Sequence, residues 1–217
     1  MNLVYRLGWI FFRSLYKTYF RARMYNAGRV PETGPVIIAS NHASLLDPPL
    51  VGSCLHRSIS YLARDTLFRY PGVGWLLRKV KAVPVDREGG GAAGLRAILD
   101  RLLAGDGIIF FPEGTRTRDG TLQPARSGIG LVVIKSTAPV VPVRVFGTYE
   151  AFGKHVCFPR PHQLTVKFGV PMDFATLRAE AENCSKVRLK EIYQQVADEI
   201  MGRIAKLEPC EDEGTFP

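Results

Sequence analysis

The chain has few cysteines, and they stand apart. Cys54, Cys157, Cys184 and Cys210 include no C-x-x-C pair, which argues against a zinc ribbon or a disulfide framework and fits a reducing compartment. No uncharged apolar run approaches the ~20 residues that a membrane-spanning helix needs. The first residues lack the clean apolar core and small-residue cleavage site of a secretory signal. There is no G-x-S-x-G nucleophile elbow, no Walker lysine and no H-E-x-x-H zinc helix. Histidines number four. His56, His155 and His162 have no partners at useful spacing and read as surface or loop residues, and no metal is expected.

Charge of one sign is missing from each end. Before Glu32 there are six basic residues and no acid, and Glu208–Pro217 carries four acids and no base. The tail contributes −4 to a net charge of +9, so the rest carries +13. A body that basic suits an anionic partner: nucleic acid, anionic lipid or a phosphorylated substrate. No recognition motif supports nucleic acid, which is therefore not expected.

Residues 1–24 are aromatic, apolar and basic. On a helical wheel Arg6, Arg13, Lys17 and Arg21 share one edge, and Leu7, Trp9, Phe11, Phe12, Leu15, Tyr16 and Tyr19 spread over the rest. This composition suits a helix lying in a membrane interface, with Trp and Tyr at headgroup depth. It also fits a helix packed on the protein's own core with a solvated basic edge. Beyond Pro31-Glu32-Thr33-Gly34-Pro35 strands alternate with helices. Strands are expected at 36–40, 59–63, 81–85, 107–111 and 140–146, with an edge strand at 164–168. Helices are expected at 47–56, 73–79, 92–104, 128–136 and 187–206, the last with Ile192, Val196, Ile200 and Ile204 four apart in series. The pattern predicts an α/β fold with a mostly parallel central sheet flanked by helices.

Two motifs fall at the carboxyl edge of that sheet, where open α/β folds bind ligands. Asn41-His42-Ala43-Ser44-Leu45-Leu46-Asp47-Pro48 follows the first of these strands. A turn there brings Asp47 back onto the His42 imidazole, fixing its tautomer so that Nε2 can take a proton. Asp47-Pro48-Pro49 also reads as a helix start, and Ser44-x-x-Asp47 has capping-box form. Asp47 is thus a cap, the partner of His42, or both. The second motif is Phe110-Phe111-Pro112-Glu113-Gly114-Thr115-Arg116. Gly114 lets the backbone approach a ligand closely. Thr115 offers a hydroxyl and Arg116 a planar fork for phosphate. Glu113 orients an arginine or accepts from a substrate hydroxyl. A bland reading is a turn carrying a solvated Glu–Arg pair. Arg87, after Val83-Pro84-Val85-Asp86, and Arg126, after the Asp119-Gly120 turn, are further cations for an anion. Together the motifs suit an enzyme acting on a phosphorylated alcohol. Gly89-Gly90-Gly91-Ala92-Ala93-Gly94 fits G-x-G-x-x-G, but Asp86, Arg87 and Glu88 separate it from its strand and a pyrophosphate would meet negative charge. It reads as a loop leading into a helix.

These residues resemble the 1-acyl-sn-glycerol-3-phosphate (lysophosphatidic acid) acyltransferases, a family of glycerolipid acyltransferases. The resemblance rests on four ordered blocks: Asn41-His42-x₄-Asp47; Gly72-x-Gly74 through Val85-Asp86-Arg87; Phe111-Pro112-Glu113-Gly114-Thr115-Arg116; and Val140-Val141-Pro142-Val143. Val85 departs from the aromatic or Ile common in the second block, and Arg126-Ser127-Gly128 stands where Lys-x-Gly is often seen. The resemblance implies the glycerol-3-phosphate acyltransferase-like fold. It also implies transfer of a fatty acyl group from acyl-CoA or acyl-carrier protein to the sn-2 hydroxyl of lysophosphatidic acid, giving phosphatidic acid. His42 is then the general base and Asp47 its orienter. Arg87, Glu113, Gly114, Thr115, Arg116 and Arg126 bind the acceptor, and Pro142 shapes the acyl side. No cofactor is needed beyond the thioester co-substrate. The expected organisation is an amphipathic, membrane-associating segment over residues 1–30, a catalytic domain over 31–207 and an acidic, disordered tail over 208–217. The expected partners are a membrane lipid acceptor, the acyl donor and an anionic membrane surface on the cytoplasmic face. Alternatives are the same chemistry on glycerol-3-phosphate, another lysophospholipid or a lyso-aminolipid, or a non-catalytic membrane-binding module.

Overall fold

A run such as Val36-Ile37-Ile38-Ala39-Ser40 has no polar side chain until its end, so it can only be a strand covered on both faces. In the computed structural model, which describes residues 2–85 and 92–209, this run is β2 (Val36–Ser40), buried at every position. Arg87, the glycines at 89–91 and the acidic tail from Cys210 onward lie outside the described residues.

The other strands are β1 (Arg23–Tyr25), β3 (Ile59–Arg64), β4 (Ala82–Val85), β5 (Gly107–Phe110), β6 (Val140–Phe146) and β7 (Thr165–Phe168). They form one seven-stranded sheet in the order β1-β7-β6-β2-β5-β3-β4. From β6 to β4 neighbouring strands are parallel, whereas β7 runs antiparallel to β6 and β1 parallel to β7. The carboxyl ends of the five parallel strands therefore line one edge. The expected edge strand is β7, but β1 lies outside it. Three residues inside a basic, aromatic stretch carry no strand periodicity, so pairing with β7, not pattern, makes them a strand.

The helices are α1 (Leu3–Thr18), α2 (Asp47–Ser53), α3 (Pro71–Lys79), α4 (Ala92–Leu103), α5 (Gly128–Lys135), α6 (Thr148–Phe152), α7 (Ala175–Glu182) and α8 (Lys186–Ala205). The first ends at Thr18, short of residue 24, because the chain must turn into β1; α6 and α7 are short and lack a marked apolar stripe. Strand alternation splits the core into two layers. Val36, Ile38, Ile109, Val141, Val143 and Val145 pack with Tyr16 of α1, Phe20 just beyond it, and Leu50 and Val51 of α2. Ile37, Ala39, Ile108 and Val140 face Ile98 of α4, Ile129 and Val133 of α5, and the Ile192–Ile204 stripe of α8. Each fully buried Ile or Leu there stabilises the fold by roughly 1.5–3 kcal/mol relative to exposure. Helices α5 and α8 approach so closely that a Cβ on Gly130 would run into the Tyr193 carbonyl oxygen.

Helix α1 is fastened to this body. Asn2 caps it by accepting from the Tyr5 N–H at 2.8 Å. The Tyr16 hydroxyl donates to the Leu46 carbonyl at 2.9 Å, and Trp9 Nε1 to that of Leu55 at 2.9 Å. Its opposite side leaves Leu3, Leu7, Ile10 and Phe11 exposed. No helix among the described residues is long and apolar enough to cross a membrane.

Candidate active site

β2 delivers the first motif to the carboxyl edge. The buried Asn41 side chain imitates a strand residue there. Its Nδ2 donates to the Val145 carbonyl at 3.0 Å, and its Oδ1 accepts from the Val145 N–H at 2.7 Å. This pair ties the loop to β6 and fixes where His42 begins. The His42 ring stacks on Phe111, with centroids 4.0 Å apart and planes 19° apart. Its carbonyl accepts from the Thr117 N–H at 2.8 Å.

Asp47 opens α2 with its side chain fully buried. Its Oδ2 accepts from His42 Nδ1 at 2.8 Å and from the Ala43 and Ser44 N–H groups, each at 2.7 Å. Ser44 Oγ in turn accepts from the Leu46 N–H at 3.1 Å, one residue short of the Asp47 N–H that a capping box would engage, so only the Asp47-to-Ser44 half of that motif forms. The expected N-cap is therefore not Asp47: Leu46 occupies that position without a side-chain capping bond and Asp47 is the first helical residue, so through one oxygen it is the partner of His42 and the clamp on the loop ahead of the helix. An ionised carboxylate only accepts, so the proton sits on Nδ1 and Nε2 keeps a free lone pair. The His42 side chain remains 12% exposed, enough for contact with a substrate but little for bulk water.

β5 delivers the second motif. Glu113 turns inward and is buried. Its Oε1 accepts from the His42 backbone N–H at 3.2 Å, and its Oε2 is buried with no hydrogen-bond partner. Burial pushes the carboxyl up to about 7; the His42 N–H opposes this and the Asp47 charge adds to it. The solvated Glu–Arg pair is therefore absent: Glu113 supports the histidine loop instead of an arginine. Gly114 has φ +70°, and a Cβ there would come within 3.1 Å of Arg126 Cδ, so Arg126 lies across this turn. Gly114, Thr115 and Arg126 are exposed and Arg116 is half-buried. No acid among the described residues pairs with either guanidinium. The Arg116 carbonyl is held by Lys154 Nζ at 2.6 Å.

An apolar cavity of about 80 Å³ opens between α1, α2 and the sheet, with Phe12, Pro48, Pro49, Tyr61 and Ile109 in its lining. Pro48 directly follows Asp47. Pro142 is buried in β6 beside Gly169, and strand alternation puts it on the α8 face, opposite this cavity. The site thus combines a base with a free lone pair, two unclaimed guanidinium groups and an apolar recess. Among the described residues no cluster of His, Cys, Asp and Glu could hold a metal ion.

A family model described as Acyltransferase matches residues 21–146. The chain belongs to the acyltransferase family. The match takes in both motifs and ends with β6, in agreement with the resemblance carried by the four blocks. Among relatives, 1-acyl-sn-glycerol-3-phosphate acyltransferase of Limnanthes douglasii is 33% identical over 143 residues, 63% of this chain and 50% of that protein. The protein of that name from Bacillus subtilis (strain 168) is 31% identical over 126 residues, 58% of this chain and 62% of the relative. The chain thus spans about half the length of such relatives. The crystal structure of the 1-acyl-sn-glycerophosphate (LPA) acyltransferase PlsC from Thermotoga maritima superposes with TM-score 0.68 at 24% identity, covering 95% of this chain and 80% of that one. The acyltransferase fold is therefore shared almost throughout.

Of the expected site residues, the structure gathers His42, Asp47, Glu113, Gly114, Thr115, Arg116 and Arg126 around the ends of β2 and β5. Sequence reasoning did not foresee the supports: Asn41 as a strand mimic, Phe111 as the stacking partner of His42, and Thr117 as the donor to its carbonyl. Only Thr117 lies outside the motifs, and no spacing rule marks it.

Proposed function

We propose that this acyltransferase moves a fatty acyl group from a thioester, acyl-CoA or acyl-carrier protein, to the sn-2 hydroxyl of lysophosphatidic acid. The observation that carries this reading is the 2.8 Å contact between His42 Nδ1 and Asp47 Oδ2 beside the Glu113–Arg116 turn. His42 Nε2 takes the hydroxyl proton as the oxygen attacks the thioester carbonyl. The resulting imidazolium is stabilised by Asp47 and returns the proton to the departing thiolate. One ester C–O bond forms and one C–S bond breaks, without an acyl-enzyme. General-base assistance of this kind is worth ~10²–10⁴ in rate. Arg116, Arg126 and Arg87 take the acceptor's phosphate, while Glu113 keeps the His42 loop in place. The recess beside Pro48 receives apolar chain. That both relatives are 1-acyl-sn-glycerol-3-phosphate acyltransferases supports this acceptor.

The organisation follows from where such an acceptor lives. Each buried CH₂ of an acyl chain gains ~0.8 kcal/mol, so a lysolipid stays largely in the bilayer. Residues 1–30 dock the domain of residues 31–207 on the cytoplasmic face, with Leu3, Leu7, Ile10 and Phe11 of α1 toward lipid. No cofactor takes part. A purified-protein assay that crosses acyl-CoA and acyl-carrier-protein donors with lysophosphatidic acid, glycerol-3-phosphate and other lysolipids, read by mass spectrometry, tests the reading. Phosphatidic acid is the expected product. Preference for another acceptor would replace the substrate, and no transfer from any pair would contradict the function.

A further inference from the structure

Helix α3 is poorly suited to water. A short surface helix ordinarily draws its stability from burying an apolar stripe. Of the nine residues of α3 only Gly74 is buried. Val73, Trp75 (53%) and Leu76 are exposed, as are Leu67 in the preceding 3-10 turn, Asp65–Arg69, and Tyr70 (66%), the N-cap of α3. The segment is nevertheless folded tightly on itself and tied to α1. A Cβ on Gly74 would come within 2.5 Å of the Phe68 carbonyl oxygen, and the Gly74 N–H donates to Tyr70 at 2.7 Å. Arg78 lies over the Phe68 ring at 5.6 Å. Asn2 Nδ2, at the cap of α1, donates to the Lys79 carbonyl at 2.8 Å. The exposed side of α1 and the exposed side of α3 thus belong to neighbouring, tied elements.

Charge selects the occupant. From Thr66 to Val85 there is no acid, while Arg69, Arg78, Lys79 and Lys81 are basic. Arg69 pairs with Asp65 and Lys81 with Asp106, which leaves Arg78 and Lys79 without an acidic partner among the described residues. A second copy docked on this face would bring unpaired cations against cations, an arrangement that costs association energy. Exposed Trp and Tyr among aliphatics and bases are the composition of a lipid interface. We infer that α3 and its preceding turn are a second membrane contact, which with α1 seats the domain on an anionic bilayer. Leu45, between His42 and Asp47, is a further exposed apolar side chain, at 58%. The inference rests on the lipid-acceptor reading and extends membrane contact well beyond residues 1–30.

The test uses the full chain with vesicles of phosphatidylcholine, with and without phosphatidylglycerol. Trp9 and Trp75 are the only tryptophans, so a Trp9→Phe background isolates Trp75. Brominated lipid should quench Trp75, and more strongly in anionic vesicles. The double variant Trp75→Glu/Leu76→Glu should bind vesicles about tenfold or more weakly, while transfer between water-soluble short-chain substrates is unchanged. Unquenched Trp75, or double-variant binding equal to that of the parent, overturns the inference. So does a lipid-free dimer that the double variant dissolves, since a second copy then covers this face. Vesicle binding that depends on α3 without acyl transfer to any lysolipid would sink the proposed function and leave this contact standing.

Discussion

Glu113 Oε1 accepts the backbone N–H of His42 at 3.2 Å across 71 residues of sequence. Through this bond the two motifs act as one unit: the second motif's carboxylate holds the first motif's histidine in place. Its second oxygen is buried without a partner, and burial raises its carboxyl to about 7.

That raised value makes stability depend on pH. The folded state binds the Glu113 proton more tightly than the unfolded chain, whose glutamate sits near 4.5. This contribution is fully present below about 4.5 and is lost as pH rises through about 7, a change of roughly 3 kcal/mol at most. Glu113→Gln removes the titration. Its melting temperature should fall less than that of the parent protein over this window, and parallel pH curves for the two proteins would contradict the assignment.

Arg116 and Arg126 are unclaimed by acids and flank Gly114. Each charge-assisted bond to a phosphate is worth ~1.5–3 kcal/mol. Arg116→Ala and Arg126→Ala should each raise KM for lysophosphatidic acid about 10- to 100-fold, with much smaller effects on KM for the acyl donor. Equal effects on both substrates would assign these arginines to the donor or to general surface charge.

Gly114 adopts φ +70° directly beneath Arg126. Gly114→Ala should cost ~1–2 kcal/mol of stability through the left-handed backbone and should displace Arg126. The expected kinetic signature is a raised KM for the acceptor. A variant with unchanged stability and KM would show that the turn relaxes freely.

The stacking of His42 on Phe111 at 4.0 Å gives a separate handle. Such ring pairs are worth ~0.5–1.5 kcal/mol. Phe111→Leu keeps the apolar bulk but frees the imidazole, so kcat should fall several-fold with KM little changed. A rise in KM alone would instead make Phe111 a substrate contact.

Much of this arrangement was legible from residues alone. The apolar runs of β2, β5 and β6 permit only buried strands, and the rule that ligands bind beyond their carboxyl ends placed both motifs in one crevice. The Ile192–Ile204 spacing marked α8. What escaped is non-local. β1 is a strand because β7 offers it an edge. Glu113 faces inward because the His42 loop supplies an N–H in a dry site, whereas its sequence neighbours suggested a partner in Arg116. Asn41 and Thr117 act through backbone groups, which no residue pattern reveals. Pro142 sits on the α8 face, which follows from strand register rather than from its block.

The central claim is that His42, oriented by Asp47, takes the acceptor's proton. The direct measurement is the turnover of His42→Ala on vesicle-borne lysophosphatidic acid with saturating thioester, alongside its vesicle binding. The account predicts a fall of ~10²–10⁴ in kcat with vesicle binding unchanged. Turnover within a few-fold of the parent protein would contradict it.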